Sequence, residues 1–230
     1  MEELVRELEY AARGVSMVRA GYIIGLVGGI ALAIAAIIWA SSLVQNPYQS
    51  VSARGAAGGL TIIAAASVAV AVASSLLQIL GFRRLCIVLS YGCITWKVLA
   101  GTLVFGVAAD ASLIASLHSS SIKSLASAAS AASFFSLSSA AVGFVASLFV
   151  GGTLYSMGDT RSIPSLKIGG ASTILLGFLI LLNAFFQSIA TEAIEAIVFL
   201  VAFVTTVRGL GAFRQSLLEY AARKRLEGSG

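Results

Sequence analysis

Six apolar runs, each long enough to cross a lipid bilayer as a helix, follow one another with only short polar links between them. A hydrocarbon core of about 30 Å takes roughly 20 helical residues to cross. The runs fall at residues 20–44, 59–80, 98–117, 131–154, 168–190 and 196–213. Lipid cannot hydrogen-bond a bare backbone, so only helices or closed barrels span it. The runs are continuous rather than alternating, which selects helices over barrel strands. The expected fold is therefore all-α: a polytopic membrane bundle of six transmembrane helices.

Charge gives such a bundle a direction. If the first run leads outward, the cytoplasmic segments hold Arg6, Arg13, Arg19, Arg83, Arg84, Lys97, Arg161, Lys167, Arg208, Arg214, Arg223, Lys224 and Arg225. The outer segments hold only Arg54 and Lys123 of the 15 basic residues. Cytoplasmic links carry an excess of Lys and Arg, so both termini are expected to be cytoplasmic and the chain to sit in the cell membrane. A composition with 58% hydrophobic and 11% charged residues excludes an ordinary soluble domain, where charged residues make up about a quarter. The net charge of +5 would suggest nucleic acid in a soluble protein. Orientation already accounts for it here, so nucleic acid is not an expected partner. The expected partners are the bilayer and its anionic cytoplasmic headgroups, which attract basic residues at roughly 1 kcal/mol each. A homo- or hetero-oligomer is left open.

The chain then divides into a cytoplasmic amphipathic segment (1–19), a membrane domain (20–213) and a basic cytoplasmic tail (214–230). Glu2, Glu3, Glu7 and Glu9 precede a first run too long for a signal peptide, so that run is expected to remain in place. The hexapeptide Leu-Glu-Tyr-Ala-Ala-Arg occurs at Leu8–Arg13 and again at Leu218–Arg223. Each copy places Glu four residues before Arg, a spacing that favours pairing on a helix. The third run can be drawn from Cys86 to Ala109 or from Val98 to Leu117. The second placement puts Trp96 and Lys97 at the interface, with Leu85–Thr95 as an amphipathic lead-in. Cys86 and Cys93, taken on one helix, would stand about 10 Å apart, beyond disulfide reach.

Gly21, Gly25 and Gly29 mark one face of the first run, and Gly55 and Gly59 open the second. Small residues at this spacing let membrane helices approach closely. Between Ser112 and Ala140 twelve of 29 residues are serine, seven of them at three-residue spacing from Ser121 to Ser139. Asp110 is the intramembrane carboxylate, with Glu192 and Glu195 towards the same outer side. Ionisable groups at such depth are costly, and they suggest an ion, proton or polar path. Asn183 and Gln187 suit hydrogen bonds between helices. His118, the only histidine, is expected in the outer serine-rich link and not within the membrane, where the Ser–His dyad of an intramembrane protease would be needed. The zinc-binding H-E-x-x-H, phosphate-loop and G-x-S-x-G patterns are also missing. No catalytic residue, metal site or cofactor is expected.

Two stretches resemble the archaeal multi-pass membrane family known as domain of unknown function 973. One runs from Gly14 through Arg19 and Gly21 to Ile24. The other runs from Gly152 through Tyr155 and Gly158, then Pro164 through Lys167 to Gly169 and Gly170. The resemblance implies an archaeal cell-membrane protein and carries no activity with it. The leading expectation is a non-enzymatic scaffold or subunit of a membrane complex. The alternative is a channel or transporter, such as an archaeal DNA-import component, with a polar path near Asp110 and the serine-rich helix.

Overall fold

The computed structural model describes residues 2–45, 53–118, 124–186 and 189–228. The side chains of 40, 42–45, 53–61, 64, 109–118, 124–136, 189–190 and 228 fall outside the described set. Six helices make up the regular structure of these residues: α1 (Glu2–Gln45), α2 (Ala53–Leu85), α3 (Ser90–His118), α4 (Ser124–Thr160), α5 (Pro164–Phe186) and α6 (Ile189–Gly228). All six are long and apolar enough to cross a membrane.

Each helix packs on its sequence neighbour, and α6 returns to α1, so the six form a closed ring. Among the described residues only α4 and α6 also touch across it. The tightest interfaces are glycine seams. On α1, a Cβ at Gly21 would stand 2.8 Å from the Ser74 carbonyl oxygen and one at Gly25 would stand 2.9 Å from Ser74 Oγ. That hydroxyl donates to the Gly21 carbonyl at 2.8 Å. Gly29 does not continue the seam, because nothing lies within 4 Å of it, whereas Gly28 meets Val70. An α-helix turns every 3.6 residues, so a seam stepping strictly by four drifts off the contact face and returns to it by a step of three. Gly55 and Gly59 lie in the α2 backbone, but their surroundings fall outside the described side chains.

On α5 two adjacent glycines serve two neighbours. Gly170 faces Gly151 and Tyr155 of α4, and Gly169 faces Thr206 of α6. Adjacent residues point about 100° apart on a helix, which suits α5 for its place between those two.

Burial is concentrated at the end of the ring that carries the basic residues. Val15, Val18, Phe82, Leu85, Leu154, Met157, Leu166, Leu210 and Leu217 have no measurable exposure. Towards the other end, Ile38, Ile62 and Phe186 are 62%, 72% and 72% exposed. So much apolar surface would aggregate in water. In hydrocarbon it is solvated, and packing between helices rests on close contact instead.

α1 and α6 outrun the bilayer. With 44 and 40 residues they reach about 66 and 60 Å, roughly double the hydrocarbon thickness. The N-terminal segment and the tail are therefore continuations of these two helices, which pack together. The Glu9–Arg13 pairing expected from the repeat is replaced by a bridge from Arg225 of α6 to Glu9. Glu219 accepts from Gln215 at 3.1 Å. The two copies of the hexapeptide share another role. Tyr10 lies under Arg84 at 5.0 Å and Tyr220 under Arg161 at 5.2 Å, so each tyrosine holds an arginine of a neighbouring corner by cation–π attraction. Lys224 donates to Glu227 at 2.6 Å, and this bond, with the Glu227 charge, raises the pKa of its ammonium.

The corners differ in construction. Between α4 and α5 the Ile163 amide closes on the Gly158 carbonyl at 2.8 Å, Ser162 adopts a left-handed φ of 53°, and Pro164 starts α5 at a position where its missing N–H costs nothing. Ser162→Gly removes the Cβ penalty of that conformation. It is expected to raise stability by about 1 kcal/mol, read as a higher unfolding midpoint in detergent. Between α2 and α3 the chain turns at Cys86–Leu89, with Leu89 N–H bonded to the Leu85 carbonyl at 2.8 Å. No amphipathic lead-in precedes α3. Its helix starts at Ser90 and continues unbroken, and Lys97 lies over the neighbouring Trp96 ring at 5.9 Å.

Candidate functional site

Towards the end opposite the basic residues, α4, α5 and α6 line an open pocket of about 450 Å³ that brings together Ser139, Asn183, Glu192 and Glu195, with Ile180 and Ala184 as apolar wall. Thr191 Oγ1 donates to Asn183 Oδ1 at 2.9 Å, fixing the amide of α5 against the first turn of α6. Glu192 and Glu195, three residues apart, then share one face of α6. Glu192 is exposed and Glu195 half-buried.

Glu195 Oε1 is itself out of solvent and has no hydrogen-bond partner among the described residues. Buried carboxylate oxygens are normally paired, and one without a partner is expensive. Carboxylates, an amide and a hydroxyl supply hard oxygen donors suited to a proton or a small cation. No group of three or more His, Cys, Asp or Glu residues with metal-binding spacing occurs among the described residues.

A second pocket, about 460 Å³, lies between α3 and α4 towards the basic end and includes Thr95, Gly152, Ser156 and Asp159. Its carboxylate is already taken, because Lys167 donates to Asp159 at 2.5 Å. The pocket at the end opposite the basic residues is therefore the stronger candidate.

Two of the three acidic residues singled out from the sequence, Glu192 and Glu195, thus share one pocket. Asp110, Ser112, Ser116 and His118 lie in the α3 backbone with their side chains outside the described set; Ser119, Ser120 and Ser121 fall outside the described residues, and Ser124, Ser127, Ser130, Ser133 and Ser136 lie in the α4 backbone with their side chains outside the described set. Ser139, the last of the three-residue series, lines the pocket shared with Glu192 and Glu195. Gln187 is outside the described residues. Sequence reasoning missed a buried hydroxyl pair, Thr95 and Thr153, whose oxygens lie 2.7 Å apart. No local pattern marks two threonines 58 positions apart. It also misplaced the cysteines. The turn at Cys86–Leu89 breaks the helix assumed between them, bringing their Cα atoms to 4.6 Å and joining them as a disulfide. Ser90, a residue type that caps helix N-termini, was the available signal for that break. No family model, curated protein or solved structure matches the chain.

Proposed function

We propose that this chain is a non-enzymatic integral protein of the cell membrane, with both termini cytoplasmic, that serves as a scaffold or subunit of a membrane complex. The observation that carries the reading is the construction of the basic end. Its core is fully packed, and two helices project from it as a paired stalk whose exposed residues include Arg6, Arg13, Arg214 and Arg223. Over residues 1–13 and 214–230 its six basic residues are balanced by six glutamates, so this rigid projection offers both charge signs to a partner held at the membrane surface. Membership of the archaeal family resembled at Gly14–Ile24 and Gly152–Gly170 belongs to the same reading. Gly14, Gly21, Gly158, Gly169 and Gly170 of those stretches all sit at close helix contacts, a role that would restrict substitution.

Cross-linking in native membranes tests the proposal. A specific complex is expected with the intact chain and should be lost in the variant Arg214→Ala, Arg223→Ala, Lys224→Ala, Arg225→Ala. A chain that remains uncomplexed in both would remove the scaffold reading.

The unpartnered Glu195 oxygen favours a second reading, a channel or transporter with an outer cation or proton site. Under it, proteoliposomes would show proton or cation flux above empty vesicles, and Glu195→Gln and Asp110→Asn would each reduce it at least about tenfold, a loss of transition-state stabilisation near 1.4 kcal/mol. Flux equal to that of empty vesicles would end this reading and leave the first.

A further inference from the structure

We propose that Cys86 and Cys93 form a reversible dithiol–disulfide couple that sets how firmly α3 is fastened to the bundle. The pair closes the α2–α3 corner, with Cα atoms 4.6 Å apart, inside the span a disulfide bridges. Gly92 tucks beneath it, where a Cβ would stand 3.2 Å from both the Cys86 nitrogen and the Phe82 carbonyl oxygen. Both cysteines are half-buried, beside Ile87 and Tyr91 at 53% and 60% exposure, so a reductant can reach the corner.

The rest of α3 is held unevenly. Near its start, Thr95 bonds Thr153 at 2.7 Å and the Phe149 carbonyl at 3.3 Å. Further along, Gly101 and Gly106 have nothing within 4 Å where a side chain would stand. A cavity of about 430 Å³ separates α3 from α4 there, and one of about 160 Å³ separates it from α2. Among the described residues no glycine seam anchors this helix as seams anchor α1 on α2 and α5 on α4. Its attachment is concentrated in the turn containing the cysteines, where a change of bond has most leverage.

Reduction proceeds by thiol–disulfide exchange with a dithiol. One thiolate of the reductant attacks a cysteine sulfur and the Cys86–Cys93 bond breaks, leaving a mixed disulfide. The second thiolate resolves it, so the cysteines gain two electrons and two protons and the reductant leaves as its own disulfide. The reverse exchange re-forms the bond. Arg83, Arg84 and Lys97 flank the corner, and placing it in a compartment where such dithiols are abundant rests on the cytoplasmic orientation proposed above.

The test uses the full chain in native membranes, treated with a permeant, mass-tagged maleimide with and without prior dithiothreitol. After prior oxidation with diamide no tag is expected, and a tag on both cysteines is expected after dithiothreitol. Tagging of both in the diamide-oxidised membranes would overturn the couple. In the purified protein, amide exchange across residues 90–105 is expected to accelerate roughly tenfold on reduction, the order of effect for losing a short-loop cross-link. Cys93→Ser should show the fast value without reductant. Exchange that is identical in the oxidised and reduced protein would overturn the link to α3. An impermeant maleimide applied to intact cells after a permeant reductant separates this inference from the orientation it borrows. No tag is expected. Tagging from outside would contradict the orientation while still supporting the couple.

Discussion

Gly170→Val should cost at least about 3 kcal/mol of stability, at or beyond the upper end of ordinary overpacking. A Cβ at this position would stand 2.6 Å from the Tyr155 amide nitrogen and against the Gly151 carbonyl. Both neighbours are backbone, so no side-chain rotation relieves the clash and α4 and α5 must separate. That interface is one of the two tightest in the ring, and its partner glycine Gly151 is equally crowded, 2.6 Å from the Gly170 carbonyl oxygen. Gly101→Ala supplies the control. With nothing within 4 Å, the added methyl meets no protein, and the gain in helix propensity, up to about 1 kcal/mol, leaves the midpoint unchanged or raised. Unfolding by sodium dodecyl sulfate in mixed micelles, followed by circular dichroism, reads both. Equal midpoints for the two variants would show that the seam is not where α4 and α5 meet.

Phe82→Ala should cost about 3–5 kcal/mol, the range for emptying a packed aromatic site. Phe82 is fully buried at the end of α2, in the core shared with Val15, Leu85 and Leu210. Ile38→Ala, by contrast, should change stability by no more than about 0.5 kcal/mol, because Ile38 is 62% exposed and its neighbours are acyl chains in either state. The contrast between the two substitutions measures how the molecule is built: a protein-packed basic end and a lipid-solvated opposite end. Comparable losses at both sites would mean that the exposed apolar surface is covered by protein after all.

Much of this architecture was legible because it is local. Run length fixes the number of helices, since a helix rises by a constant amount per residue. The division of basic residues depends only on which link follows which run. Features that depend on neighbours were not legible. Gly21 and Gly25 lie on the α1–α2 seam while Gly29 lies off it and Gly28 on it, a distinction that needs the position of Val70. Gly169 and Gly170 read as one small-residue start to a helix, yet they face different partners because α5 lies between two others. The cysteines were misread because the chain from Leu85 to Leu89 stays apolar through the turn, and only Ser90 hints that a new helix begins. At the candidate site, the carboxylates Glu192 and Glu195 were identifiable by type and spacing. Their company with Asn183 and Ser139 depends on how α4, α5 and α6 pack together, which composition does not encode.

The central claim is that these helices cross a bilayer with their basic ends on one face. It is tested most directly by labelling single cysteines in intact cells with an impermeant maleimide, in a chain whose Cys86 and Cys93 are replaced by serine. Arg13→Cys, Thr160→Cys and Arg223→Cys, all exposed positions at the basic end, should react only after the membrane is opened. Glu192→Cys, exposed at the opposite end, should react without opening it. Labelling of all four positions to the same extent before permeabilisation would contradict the account.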